Sequence, residues 1–177
     1  MPLSNDITQL DPDLVLVYSE GKAAWKKDHP SGPWPEINEG YRSDEVQAAY
    51  YAQSRQPLAE VNRLRKTAGL EPISAAENRS KITDKKPGTS KHNTYPGEAL
   101  DVRMRLYTIP KPGAKLAPAG ITWDNRYYIQ FGGYMIAAYR ELKAAGKVKR
   151  KLRWGHDWNG NGIADEKFYD DPHFEVV

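Results

Sequence analysis

Apolar residues first recur at helical spacing near the start of the chain, at Leu14, Val15, Val17, Tyr18, Ala24 and Trp25. Asp11 can cap that run and Pro12 suits a first helical turn, so the pattern predicts a helix over 11–27. His29 to Pro35 is rich in proline and glycine and reads as loop, and Ile37 to Tyr41 as a short strand. Ser43 followed by Asp44 and Glu45 opens a second helix, to about Arg55. Pro57 and the spacing of Leu58, Val61 and Leu64 predict a third, to about Ala68. Residues 71–91 are polar and read as loop. Ala99 to Leu106 alternates as a strand does, with Ala99, Asp101 and Arg103 on one face and Leu100, Val102 and Met104 on the other. Residues 107–120 hold three prolines and two glycines and read as a loop or lid. Asp124 to Ala145 is the longest helical stretch, interrupted at Gly132–Gly133; Lys151 to Trp154 and His173 to Val177 are short strands. Helices first and scattered strands afterwards indicate a small α+β domain spanning residues 1–177.

Composition narrows the chemistry. The 177 residues suffice for one domain with a real core. No apolar run approaches the roughly 20 residues of a membrane helix, so no membrane insertion is expected. The segment Met1 to Pro12 carries Asp6 and Asp11 and does not read as a secretory signal. The chain has no cysteine, which excludes disulfides, thiolate metal sites and cysteine nucleophiles together. A net charge of +3 mildly favours anionic surfaces such as cell wall. The densest basic group, Lys147, Lys149, Arg150, Lys151 and Arg153, reads as solvated surface, and no nucleic-acid motif accompanies it.

Three of the four histidines fall in acid-rich segments, Ser90 to Asp101, Trp154 to Trp158 and Tyr169 to Glu175. A catalytic zinc site takes three nitrogen or oxygen ligands and keeps one position open. His92 and Asp101 lie nine residues apart with Tyr95-Pro96-Gly97 as turn chemistry between them, so both can reach one point. His173 is a candidate third ligand, and Asp170 a candidate general base for an attacking water. Spacing alone leaves open that these are unrelated surface groups, and no helical H-E-x-x-H pattern is present.

Ser90-x-His92 followed by Gly97-x-Ala99-x-Asp101 resembles the S-x-H-x-x-G-x-A-x-D motif of the M15 (LAS-type) zinc peptidases. Trp154-Gly155-His156-Asp157-Trp158 resembles their W-G-G-D-W segment, and Asp170-Asp171-Pro172-His173-Phe174-Glu175 their closing D/E-x-x-H-F-E segment. Gly40-Tyr41-Arg42-Ser43 with Gln47 resembles their Y-R-S-x-x-x-Q stretch. The resemblance runs in order over about residues 10–177. It implies an antiparallel sheet with helices packed on it, in the manner of D-alanyl-D-alanine peptidases and Hedgehog amino-terminal domains. It also implies His92, Asp101 and His173 as zinc ligands, Asp170 as base, and Arg42 with Gln47 at the scissile carbonyl. Ser90 would steady the first ligand segment. Two departures stand out. The stretch from His92 to Asp101 is two residues longer than the motif, and His156 replaces its second glycine, where a near-site role without metal ligation is expected.

Asp157, Asn159, Asn161 and Asp165 fall at positions 1, 3, 5 and 9 of an EF-hand-like calcium loop, with Gly162 at 6 and the Ile163 carbonyl at 7. Phe168 stands where such a loop has its bidentate glutamate, and an Asn/Gly-rich turn capped by its own side chains is the other reading. Within the resembled family, a small catalytic domain without a wall-binding module is similar to phage endolysins that cut the L-alanyl-D-glutamate bond of peptidoglycan. The expected course is synthesis in the host cytoplasm, release by a separate factor such as a holin, and action as a monomer on the wall. A D-alanyl-D-alanine carboxypeptidase or dipeptidase is the alternative. A non-catalytic zinc and calcium binding module is the remote one.

Overall fold

The computed structural model describes residues 5–109, 113–163 and 165–177. Among these the elements run α1 (Pro12–Asp28), β1 (Trp34–Glu39), α2 (Asp44–Ala52), α3 (Leu58–Thr67), β2 (Ala99–Thr108), β3 (Ala117–Thr122), α4 (Asn125–Ala144), β4 (Leu152–Trp154) and β5 (His173–Val176). The strands form one antiparallel sheet in the order β1-β2-β5-β4, with β3 paired to β2. This is a small single-domain α+β fold, as the element pattern predicts.

The helix starts follow from their caps. The Asp11 carboxylate accepts from the N–H of Asp13 at 2.9 Å and of Leu14 at 3.4 Å, ahead of Pro12. Ser43 accepts from Val46 N–H at 3.4 Å and opens α2. That helix ends at Ala52, short of Arg55, because Gln53 leaves the helical backbone at ψ 135° and Ser54 follows at a positive φ of 64°. Helices α1 and α4 pack together against one face of the sheet. Leu14, Val17 and Trp25 meet Phe131 and Met135, and Leu100, Val102, Met104, Phe174 and Val176 close the core from the strands. Helices α2 and α3 form a smaller cluster around Val46, Ala49, Tyr50 and Ala68.

Three expectations need correction. The first strand begins at Trp34 and ends at Glu39, rather than covering 37–41, because Trp34 pairs with Arg105 and draws Pro35 into the sheet. The 107–120 segment is not all loop. Strand β2 runs on to Thr108, and β3 pairs back along it despite Pro118 and Gly120, with a register shift between Leu106 and Tyr107 absorbing the irregularity. Pro110, Lys111 and Pro112 of that segment lie outside the described residues. Helix α4 is unbroken at Gly132–Gly133. Gly132 serves packing there, since a Cβ on it would collide with the Trp154 ring. No helix among the described residues is long and apolar enough to cross a membrane.

Candidate metal centre

Alternation along two paired strands creates the site. In β5, Phe174 and Val176 enter the core while His173 and Glu175 fall on the opposite face. In β2, Leu100 and Val102 enter the core and Asp101 lies opposite. The register places Asp101 directly across from His173, and Glu39 across from Asp101 after a shift in β1. His92 arrives from a short 3-10 turn, Lys91–Asn93, whose N-cap is Ser90; the Ser90 hydroxyl accepts from His92 N–H at 3.3 Å.

These residues converge on one point. His173 Nδ1 lies 2.9 Å from Asp101 Oδ1, His92 Nε2 lies 3.5 Å from the same oxygen, and the two ring nitrogens are 3.4 Å apart. His92 and His173 are buried and Asp101 is half-buried. The group could hold a metal ion. The far nitrogen of each ring is held as a metal-binding histidine requires. His92 Nδ1 donates to the Gly40 carbonyl at 2.7 Å, and His173 Nε2 faces Glu175 Oε2 at 3.2 Å. Both arrangements turn the remaining nitrogen inward.

The electrostatics follow the geometry. Burial opposes ionisation of Asp101, but the charges and hydrogen bonds of His92 and His173 hold its carboxyl well below the usual range. Burial works against a charged His173, yet Asp101 and Glu175 together push it up to about 10. Glu175 resists burial through His173 and Arg153 and falls to about 2. Asp170 moves the other way: burial first, then the Asp101 carboxylate, raise it. Its carboxylate accepts no hydrogen bond among the described residues.

Backbone contacts fix Asp170 beside His173. Its N–H donates to the Gly155 carbonyl, its carbonyl accepts from His173 N–H, and Gly155 N–H donates to the His173 carbonyl, each at 2.9 Å. A Cβ on Gly155 would collide with the Asp170 carbonyl, so glycine is required by this approach. His156 stands outside the three-ligand group. Its Nδ1 lies 2.6 Å from Asp171 Oδ1, and its ring stacks on Trp154 at 4.7 Å.

Arg42 forms the adjoining wall. Its N–H donates to the His92 carbonyl at 2.7 Å, and Asn93 Nδ2 donates to the Arg42 carbonyl at 2.7 Å. The buried guanidinium donates from Nε to Glu39 at 2.5 Å and from Nη1 to Gln47 at 2.7 Å. Sequence reasoning missed Glu39, Gly40 and Glu175 as supports. Glu175 was the most accessible of these, since it shares a strand face with His173 two residues away.

Between His92 and Asp101 the chain turns around Thr94, whose hydroxyl donates to the Lys91 carbonyl at 2.9 Å and accepts from Glu98 N–H at 3.1 Å. Gly97 is pinned there by Leu10 and Tyr41, leaving a Cβ only 3.1–3.2 Å from them.

Within residues 157–163 and at Asp165, side chains bond back to their neighbours in the chain. Asp157 accepts from Asn161 N–H at 3.0 Å and from Gly162 N–H at 2.9 Å. The Asn159 and Asn161 amides donate to Asp165, each at 3.0 Å, and Ile163 N–H donates to Asn161 Oδ1 at 2.7 Å. Acceptor side chains are therefore gathered, but two amides present nitrogen rather than oxygen toward Asp165. Among comparisons with known proteins, no family model matches the chain and no curated protein sequence matches it significantly.

Proposed function

We infer that this chain is a zinc peptidase acting on the stem peptides of bacterial peptidoglycan, with the L-alanyl-D-glutamate bond as its target and host-cell lysis as its use. The observation that carries the reading is the His92, Asp101 and His173 triangle with both histidines oriented from behind. Two nitrogens and one carboxylate oxygen are the donors of a catalytic zinc site with one open position. Ligand-to-metal distances of roughly 2.0–2.2 Å separate tetrahedral ligands by about 3.4 Å. The observed separations of 2.9, 3.4 and 3.5 Å are close to that. The ordered motifs that resemble LAS-type peptidases support the same assignment.

Zinc, when bound, supplies Lewis-acid activation of water and of the scissile carbonyl. Asp170 would accept the proton of the attacking water and return it to the leaving amine, a task that its raised carboxyl suits. Arg42 would hold the carbonyl oxygen as charge develops on it, with Gln47 and Glu39 fixing the guanidinium. Digestion of purified peptidoglycan, with new ends identified by mass spectrometry, tests the assignment. New L-alanine carboxyl and D-glutamate amino ends support it. Released D-alanine would move the chain to the carboxypeptidase reading, and an intact wall would favour a binding module.

Calcium at Asp157, Asn159, Asn161, Ile163 and Asp165 is part of the same proposal. Binding would require the Asn159 and Asn161 amides to turn their oxygens inward. Because this loop leads into Asp170, calcium would order the base. Zinc-buffered activity that is indifferent to selective calcium chelation contradicts this part alone.

A further inference from the structure

Residues 80–90 form neither helix nor strand, yet side chains from elsewhere hold them. Gln53 Nε2 donates to the Ser80 carbonyl at 3.0 Å. Arg55 donates to the Thr83 carbonyl at 3.0 Å and pairs with Asp84 at 2.9 Å. Gln47 Nε2 donates to the Lys85 carbonyl at 2.6 Å, and Gly88 N–H donates to Asn93 Oδ1 at 2.6 Å. A fully buried amide is costly unless both its ends are bonded. Gln47 meets that condition by bridging Arg42 and the Lys85 backbone. Asn93 makes a second bridge, between Gly88 and the Arg42 carbonyl. The Lys85–Gly88 backbone is thus fixed at two points to the wall that holds Arg42 and His92.

This fixed segment carries uncompensated positive charge. Lys81 is paired with Asp84 at 2.7 Å and Lys91 with Glu98 at 2.5 Å. Lys85 and Lys86 are exposed, and among the described residues neither is paired with a carboxylate. Flexible loops ordinarily carry lysines as solvated charge. A backbone anchored by a buried glutamine beside a buried arginine instead fixes where two consecutive lysines leave the chain, next to the Arg42 wall, and their positive charge there attracts an anion.

We propose that Lys85 and Lys86 form a carboxylate-recognising subsite that binds the free carboxylate next to the scissile amide. The proposal rests on the peptidase reading above. A D-glutamate joined onward through its γ-carboxyl keeps its α-carboxylate free beside the L-alanyl amide, and an α-amidated stem lacks that charge while keeping its shape.

The test is steady-state hydrolysis by the zinc enzyme of an L-alanyl-γ-D-glutamyl stem peptide and of its α-amide. Wild type is compared with the Lys85→Gln, Lys86→Gln double variant and the corresponding double arginine variant. Gln47 bonds the backbone carbonyl of Lys85, so these exchanges leave the anchor in place. Wild type should favour the carboxylate through KM, by about fivefold per lysine, with kcat little changed. The glutamine variant should lose the preference and the arginine variant keep it, with equal zinc content and equal melting temperature. A glutamine variant that retains the wild-type preference, or a wild type that cuts both peptides equally well, overturns the subsite while leaving the peptidase reading intact. A wild type that cuts neither overturns both.

Discussion

His173 is constrained on both sides of its ring, by Asp101 at Nδ1 and by Glu175 at Nε2. With its imidazole pushed up to about 10, it is protonated near neutral pH until a metal takes Nδ1. Zinc uptake should therefore release about one proton near pH 7. Calorimetry in buffers of differing ionisation enthalpy measures that number; zinc uptake with no proton release would contradict the pairing. Asp170 makes a separate prediction, because it supplies no ligand to the triangle. Asp170→Asn should keep full zinc content while losing about 10²–10⁴-fold in turnover. Equal loss of zinc would make Asp170 a structural residue. At this scale the sequence was legible where motif letters name the chemistry, as at His92, Asp101 and His173. It was silent on Gly40, whose contribution is a backbone carbonyl that any residue carries.

Between elements, two glycines hold the geometry. Gly155 lets the Asp170 carbonyl come against its Cα, and Gly132 lets Trp154 lie against α4. Gly155→Ala should push the Asp170–His173 turn outward and weaken zinc binding by about 10–100-fold, measured by competition with a chromophoric chelator. Unchanged affinity would show that the turn adjusts freely. Gly132→Ala should instead lower stability by about 1–3 kcal/mol, read by urea unfolding, with a smaller effect on zinc. Helix starts were readable because Asp11 and Ser43 act locally. Strand β3 was not, because its Ala-Pro-Ala-Gly sequence has little strand character and pairs only since β2 extends past it. Gly132–Gly133 looked like a break for a similar reason: propensity sees the missing side chain, whereas packing against Trp154 needs it missing.

Across the whole molecule, the buried charges set opposing pH limits. Glu175 is lowered from about 4.5 to about 2, so its stabilisation is present above pH 4.5 and fades as pH falls toward 2. Asp101 acts in the same direction. His173 is raised from 6.5 to about 10, so its stabilisation is complete below pH 6.5 and fades as pH rises through 10. Chelated protein should thus lose stability on both flanks of the interval from about 4.5 to 6.5. Saturating zinc should protect the alkaline flank, where His173 is already the neutral ligand. Melting temperatures across pH with and without zinc would show this, and an alkaline flank indifferent to zinc would contradict it.

We propose that His92, Asp101 and His173 hold the zinc on which stem-peptide cleavage depends. The most direct test of this proposal is to titrate chelated protein with zinc while following the ends released from purified peptidoglycan. Activity should rise linearly and break at about one zinc per chain, with L-alanine carboxyl ends as the product. Cleavage that persists without metal, or a chain that takes up zinc at these residues and leaves the wall uncut, would contradict it.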